Sequence, residues 1–282
     1  EKNGRQNRFI GKRFVPVVKP AGTWKLKGGA LDGAVLRLSG TAERVTGSIE
    51  GPGWSDLSDV KLTGNELTFR AVHDGKKVSA RGLIKGDVLE GTIEGGEAFT
   101  GARERQWGEP IQLFNGKDLT GWKFLGDEQK SKWTIVDGVL TNTGRGSHLM
   151  TERKFEDFKL HVEFRVPKRS NSGIYLRGRY EIQVEDSYGK KPGGGICGAI
   201  YSRITPRVNA SKPPGEWQTF DATLIGNYIT LVHNGELIID NQEIEGITGG
   251  AIDSFEHEPG PIYIQGDHGP VEYRSIVITP AK

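Results

Sequence analysis

Between residues 170 and 189 the chain reads SNSGIYLRGRYEIQVEDSYG. Alternate positions put Tyr175, Arg177, Arg179, Glu181, Gln183 and Glu185 on one side, and Ile174, Leu176, Tyr180, Ile182 and Val184 on the other. Carboxylates, guanidinia, an amide and an aromatic ring at a period of two can hold a polyhydroxylated molecule and move a proton on it. The preceding run, KLHVEFRV, keeps the alternation: Leu160, Val162, Phe164 and Val166 face a core, while Lys159, His161, Glu163 and Arg165 face out. Three neighbouring strands of this kind predict a polar sheet face suited to gripping a sugar. The solvated face of an ordinary antiparallel sheet alternates in the same way, so spacing alone does not separate chemistry from solvation.

The elements that must position these residues are short strands. With 41 Gly among 282 residues, many β-branched side chains and hardly any apolar period of 3.6, the composition predicts an all-β chain with tight turns and little helix. Lys and Arg (38) nearly balance Asp and Glu (36), which provides no field for nucleic acid, and no apolar run approaches the roughly 20 residues of a membrane span. The single cysteine, Cys197, excludes an internal disulfide and a multi-cysteine zinc site, and its apolar neighbours make it a core residue. The sequence begins at Glu1 and its one methionine is Met150, which reads as removal of a leader and an expected secreted or periplasmic location.

In order, residues 1–20 predict an extended basic arm. Residues 21–105 form a series of short strands separated by Gly28-Gly29, Gly64-Asn65, Asp74-Gly75 and Gly86-Asp87, an accessory antiparallel barrel or sandwich in which Trp24, Trp54 and His73 read as core or rim residues, with Trp54, on a loop, the alternative platform for a sugar. QWGEP at 106–110 reads as a linker. Residues 111–282 supply about a dozen more strands, with a hairpin signal at Asn234-Gly235, and predict two stacked antiparallel sheets of jelly-roll type. The glycine-rich residues 189–198 read as a mobile flap able to cover a substrate.

Six segments of this second domain carry a resemblance. LFNGKDLTGW (113–122), NSGIYLRGRYEIQVEDSYG (171–189), GAIY (198–201), EWQTFDATLIG (216–226), HNGELI (233–238) and GPIYIQGDHGPVEYRSI (260–276) together resemble the 3-keto-disaccharide hydrolase family, over about residues 111–279. The resemblance implies a concanavalin-like jelly roll acting on glycosides oxidised at C3 of the sugar. Cleavage would run in part by elimination of the aglycone followed by addition of water. The first domain lies outside the resemblance.

That chemistry needs a base for the acidified C2 proton, a cation or donor for the enolate oxygen, and an acid for the leaving group. Glu163, Glu185 and His268 are the candidate base and acid, with Arg177 on the enolate. Tyr175, Gln183, Tyr201, Gln265 and Asp267 are the candidate substrate-binding residues. Glu181 is read as pairing with Arg179. Glu185, Asp186, Asp267 and His268 lack a diagnostic metal spacing, so neither metal nor other cofactor is expected. Two alternatives stay open. One is a lectin-like binding module on the same fold. The other is a direct retaining glycosidase using Glu181 and Glu185, whose backbone positions lie about 13 Å apart at roughly 3.3 Å per residue, with Gln183 where glucanases on this fold carry an aspartate.

Overall fold

The computed structural model describes residues 18–282, so the arm expected over 1–20 lies outside the described residues except for 18–20. The first domain contains β1 (Gly22–Lys27), β2 (Val35–Gly40), β3 (Val45–Glu50), β4 (Trp54–Thr63), β5 (Glu66–His73), β6 (Lys76–Lys85), β7 (Val88–Ile93) and β8 (Ala98–Glu104). All pairings are antiparallel, in the spatial order β3-β2-β1-β8-β7-β6-β5-β4. The outermost strands, β3 and β4, pack beside each other, so the sheet curls almost into a barrel. Asp74 and Gly75 both take positive φ (47° and 74°), the geometry that matches the twist of a two-residue hairpin. Trp24, Leu36, Leu67, Phe69, Leu89 and Phe99 fill the barrel.

The second domain has its own core. Its strands are β9 (Ile111–Gln112), β10 (Trp122–Leu125), β11 (Trp133–Val136), β12 (Val139–Asn142), β13 (His148–Thr151), β14 (Phe158–Arg165) and β15 (Asn171–Leu176). They continue with β16 (Tyr180–Glu185), β17 (Gln218–Ile225), β18 (Tyr228–His233), β19 (Glu236–Glu243), β20 (Tyr263–Ile264) and β21 (Val271–Pro280). A five-stranded sheet, β10-β13-β20-β15-β16, stacks on a back sheet running β11-β12-β21-β14-β17-β18-β19, with β9 added along β21. Ile174, Leu176, Ile182 and Val184 meet Leu160, Val162, Phe164 and Phe220 between the sheets, each fully or almost fully buried. Every such side chain contributes about 1.5–3 kcal/mol of transfer free energy, which outweighs any single polar contact on the outer faces. The result is a jelly-roll β-sandwich.

The segment expected as a linker is tied down. Trp107 forms a bridge to Ala281, Gly108 N–H donates to Pro280 O (2.7 Å), and Lys282 N–H donates to Gln106 O (2.9 Å). Arg105 joins the domains by reaching both Asp87 (2.7 Å) and Asp157 (3.1 Å). Among the described residues, no helix is long and apolar enough to cross a membrane.

Candidate active site

A cavity of about 290 Å³ opens on the outer face of the five-stranded sheet. Its wall is built by register. Tyr175 on β15 pairs with both Glu181 on β16 and Tyr263 on β20, and Gly173 pairs with Gln183, so alternation turns Tyr175, Glu181, Gln183 and Tyr263 to the same side. Asn171, two residues before Gly173, and Gln265, two after Tyr263, extend this face, and all six line the cavity. Gly173 leaves the space that Glu181 occupies: a Cβ there would stand 2.4 Å from Glu181 Oε1.

Glu181 is the chemical centre of this wall. It is only 4% exposed, and burial is the main reason that its carboxyl is pushed up to about 7. Tyr175 Oη lies 2.9 Å from Glu181 Oε2 and 2.7 Å from the Gly249 carbonyl oxygen. One phenolic proton serves one acceptor at a time, so a protonated Glu181 that donates to Tyr175 satisfies both contacts and an ionised one competes with Gly249. With its amide nitrogen turned toward acceptors, Gln183 donates to Glu181 Oε1 (3.1 Å) and Ser172 O (3.2 Å), and its oxygen accepts from Asn171 Nδ2 (3.1 Å). The rings of Tyr175 and Tyr263 stack at 4.0 Å and 11°. Gly250, at φ 78°, lets the covering loop approach them, because a Cβ there would meet Tyr175 Oη at 2.5 Å.

Two histidines line the same cavity in opposite proton arrangements. Gly266 N–H donates to His148 Nδ1 (3.0 Å), which leaves the hydrogen of a neutral His148 on Nε2, and burial lowers its pKa and favours that neutral form. His268 Nδ1 lies 2.6 Å from Asp267 Oδ1, and donating there leaves Nε2 as an acceptor. Gln265 is 8% exposed and its amide oxygen has no partner, a buried capacity of the kind that a hydroxyl donor fills. Tyr201 forms the half-exposed rim. The site therefore offers a carboxyl poised near neutrality, an imidazole acceptor, an imidazole donor and several hydroxyl-binding groups. Among the described residues no group of three or more His, Cys, Asp or Glu side chains gathers as a metal site would.

Of the residues singled out from sequence, Tyr175, Gln183, Tyr201, Gln265, Asp267 and His268 line this cavity, whereas Glu163, Arg177 and Glu185 do not. Glu163 is on β14, in the back sheet, where it pairs with Arg274. Strands β14 and β15 are consecutive but join different sheets, so their polar faces point to opposite sides of the sandwich. Arg177 sits in the β15–β16 turn: it and Gly178 take φ of 51° and 69°, and Arg179 N–H donates to Leu176 O (3.0 Å). Alternation stops at such a turn, and Arg177 is buried with its Nη2 donating to Gly226 O. Glu185 keeps the parity of Glu181 but lies at the strand end, engaged by Ser187 Oγ (2.7 Å) and Lys190 Nζ (3.0 Å).

His148, Asn171 and Tyr263 are cavity residues that sequence reasoning passed over, and Glu181 entered it only as half of the alternative glutamate pair. Glu181 was assigned to Arg179, which instead holds Asp253 (2.5 and 3.1 Å) and Glu258 O (2.8 Å). Nor does the glycine-rich stretch swing free at its far end. Cys197 N–H donates to Ser187 Oγ, Gly198 N–H to Gln183 O, and Tyr201 N–H to Glu181 O (3.0, 2.8 and 3.0 Å), so it runs along β16. Cys197 is fully buried and its thiol is pushed up to about 12 by that burial.

A larger groove, about 650 Å³, opens on the barrel, but its Asp59 is already bound by Arg70 (2.9 Å), and none of its polar lining residues is buried.

Residues 109–279 match the profile of the family described as the 3-keto-alpha-glucoside-1,2-lyase-like domain. A 3-keto-disaccharide hydrolase of Bacteroides thetaiotaomicron is 35% identical over 101 residues, an alignment spanning 32% of this chain and 33% of that protein. A solved structure from Parabacteroides distasonis, a "putative glycosyl hydrolase", aligns with a TM-score of 0.52 at 32% identity, covering 60% of this chain and 82% of its own.

Proposed function

The chain belongs to the family of the 3-keto-alpha-glucoside-1,2-lyase-like domain, and from that premise we propose that the cavity on its five-stranded sheet cleaves 3-keto-glycosides. The observation that carries the reading is Glu181, a buried carboxyl pushed up to about 7 in a sugar-sized cavity that two histidines of complementary proton arrangement also line. An ordinary surface glutamate has no reason to be there, since burying it costs free energy that packing elsewhere must offset.

In the reaction, His268 Nε2 takes the C2 proton, which the C3 ketone acidifies, while Asp267 fixes the ring and stabilises the imidazolium. The electron pair moves into an enolate whose C3 oxygen accepts from His148 Nε2–H. A neutral imidazole serves well here because it donates without imposing a full charge. As the C3 carbonyl re-forms, the C1–C2 double bond appears and the C1–O bond breaks. Protonated Glu181 gives its proton to the departing oxygen, assisted by Tyr175. Water then adds at C1 and a proton returns to C2, so that the net change is hydrolysis. Asn171, Gln183, Gln265 and Tyr201 hold hydroxyl groups, and the stacked pair Tyr175–Tyr263 offers an apolar floor to a sugar ring.

Incubating the protein with a 3-keto-glucoside and with its unoxidised parent separates this reading from the others. The expected result is release of the aglycone from the ketone only. Equal release from both substrates would make it a direct glycosidase, and binding without turnover would make it a lectin-like module.

A further inference from the structure

Three consecutive residues, Thr248, Gly249 and Gly250, each bond a different member of the active-site wall. Thr248 Oγ1 accepts from Glu181 N–H (3.0 Å) and donates to Arg179 O (3.1 Å). Gly249 O lies 2.7 Å from the Tyr175 hydroxyl, and Gly250 O accepts from the Tyr263 hydroxyl (3.2 Å). Two of the three are glycines, which have little backbone preference of their own, so this path must be fixed from elsewhere.

The fixing comes chiefly from Arg179, which is 1% exposed and does not line the cavity. Its Nε and Nη2 grip the Asp253 carboxylate as a fork (2.5 and 3.1 Å), its Nη1 donates to Glu258 O (2.8 Å), and its carbonyl oxygen accepts from Thr248 N–H (3.0 Å). One residue thus holds the covering segment at 248, 253 and 258, with Gly249 and Gly250 spanning the first two grips. Arg203 adds an exposed contact at Ile247 O (2.6 Å). A guanidinium–carboxylate fork fixes direction as well as distance, which suits a clamp.

We propose that Arg179 is a positioning residue for Glu181: by clamping residues 248–250 it keeps the Gly249 carbonyl where it accepts from Tyr175 while Glu181 is protonated and yields that donor to the carboxylate once Glu181 has given its proton away. Tyr175 keeps its own proton throughout and only turns it. With the carbonyl in place, an ionised Glu181 must compete for the phenol, and the protonated form is favoured; with the carbonyl displaced, Tyr175 is free to serve the carboxylate. The other titratable groups lining the cavity are His148 on β13, Tyr263 on β20, Tyr201 after β16, and Asp267 and His268 between β20 and β21. Asp267 and His268 act on Glu181 by charge in opposite senses, and all five groups are common to every variant below. The place of this clamp in catalysis rests on the reaction proposed above; its action on Glu181 does not.

Carbon-13 NMR of the full chain, labelled at the glutamate carboxyls and assigned with Glu181→Gln, reads the Glu181 titration without a substrate. Arg179→Met removes the clamp without leaving a buried charge, and its midpoint is expected to lie about one pH unit below that of the wild type. Arg179→Lys, which restores the charge but not the fork, should fall between them. Asp253→Asn serves if the methionine variant fails by circular dichroism. Added to Tyr175→Phe, the same substitution should move the midpoint less than about a third as far, because the group through which it acts is gone. An unmoved midpoint in the folded variant overturns the proposal. So does a full shift in the Tyr175→Phe background, which would mark simple hydration of the carboxyl. For a 3-keto-glucoside, the alkaline limb of kcat/KM should follow the midpoint downward. A wild type that does not turn over that ketone, with the NMR shifts as expected, overturns the reaction and leaves the role of Arg179 standing.

Discussion

The outer faces of the two stacked sheets carry similar residue types in similar alternation and use them oppositely. On the back sheet, Glu163 pairs with Arg274, Arg165 with Glu272, and His161 with Asp221 (2.7 Å), while Trp217 lies between the guanidinia of Arg165 and Arg274 at 4.7 and 4.6 Å. These charges are each matched by a neighbour in water. On the five-stranded sheet, Glu181, Gln183 and Gln265 are 4%, 3% and 8% exposed, and Glu181 has no cation within ion-pair distance among the described residues. Pairing stabilises the ionised form of a carboxyl, whereas burial without a cation stabilises the neutral form. On the function proposed above, the face suited to chemistry is the one whose polar groups are left unmatched and dry.

The largest expected effect follows from that contrast. Glu181→Gln keeps size and hydrogen bonding but cannot give up a proton, and turnover of a 3-keto-glucoside is expected to fall about 10²–10⁴-fold with the fold intact. Steady-state rates of the variant, with circular dichroism as the control, check this. An unchanged rate would remove Glu181 from the chemistry, and an equal loss in Glu185→Gln would bring back the paired glutamates of a direct glycosidase.

How much of this was legible in the chain depends on what alternation can and cannot encode. It gave the core side of β14, β15 and β16 correctly, because Leu160, Ile174 and Ile182 have no other place to go. Which sheet a strand joins is not written in its period, so Glu163 and Glu181 look equivalent until β14 pairs with β17 and β21 while β15 pairs with β16 and β20. The Arg177-Gly178 turn could have been suspected from its glycine, and treating it as strand carried Arg177 and Arg179 onto the wrong face. Tyr263 was within reach, since it shares the period of Gln265 two residues on. His148 was not, because its place in the cavity comes from β13 meeting β20 over a long sequence separation.

pH sharpens the comparison, since the two glutamates titrate in opposite directions. Glu181 moves from 4.5 to about 7 on folding, so between those values the folded state binds more protons than the unfolded one. Its contribution is fully present below about 4.5 and is lost as pH rises through about 7, by on the order of 3 kcal/mol at most. Glu163 is held below its usual range, chiefly by Arg274, so its contribution is present above 4.5 and is lost as pH falls through the lower folded value. Urea midpoints from pH 4 to 8 for the wild type and Glu181→Gln should diverge with the variant gaining relative stability toward pH 8. In activity, loss of the proton on Glu181 should draw down kcat/KM about tenfold per unit above pH 7. A wild-type profile flat across that range would mean that the carboxyl does not act as the acid.

The smallest effect is expected on the other face, and its smallness is what the comparison needs. Glu163→Gln removes one charge from an exposed network in which Arg274 keeps its stacking on Trp217 and His161 keeps Asp221. Exposed pairs of this kind contribute under about 1 kcal/mol, because the attraction is screened and ordering two long side chains costs entropy. Stability should therefore change by less than about 1 kcal/mol, and turnover by less than about twofold, since the back sheet and the apolar core separate Glu163 from the cavity. Raising the salt concentration should shrink even that difference. A loss of turnover approaching that of Glu181→Gln would mean that the substrate also reaches the back sheet, and the division of labour between the two faces would fail.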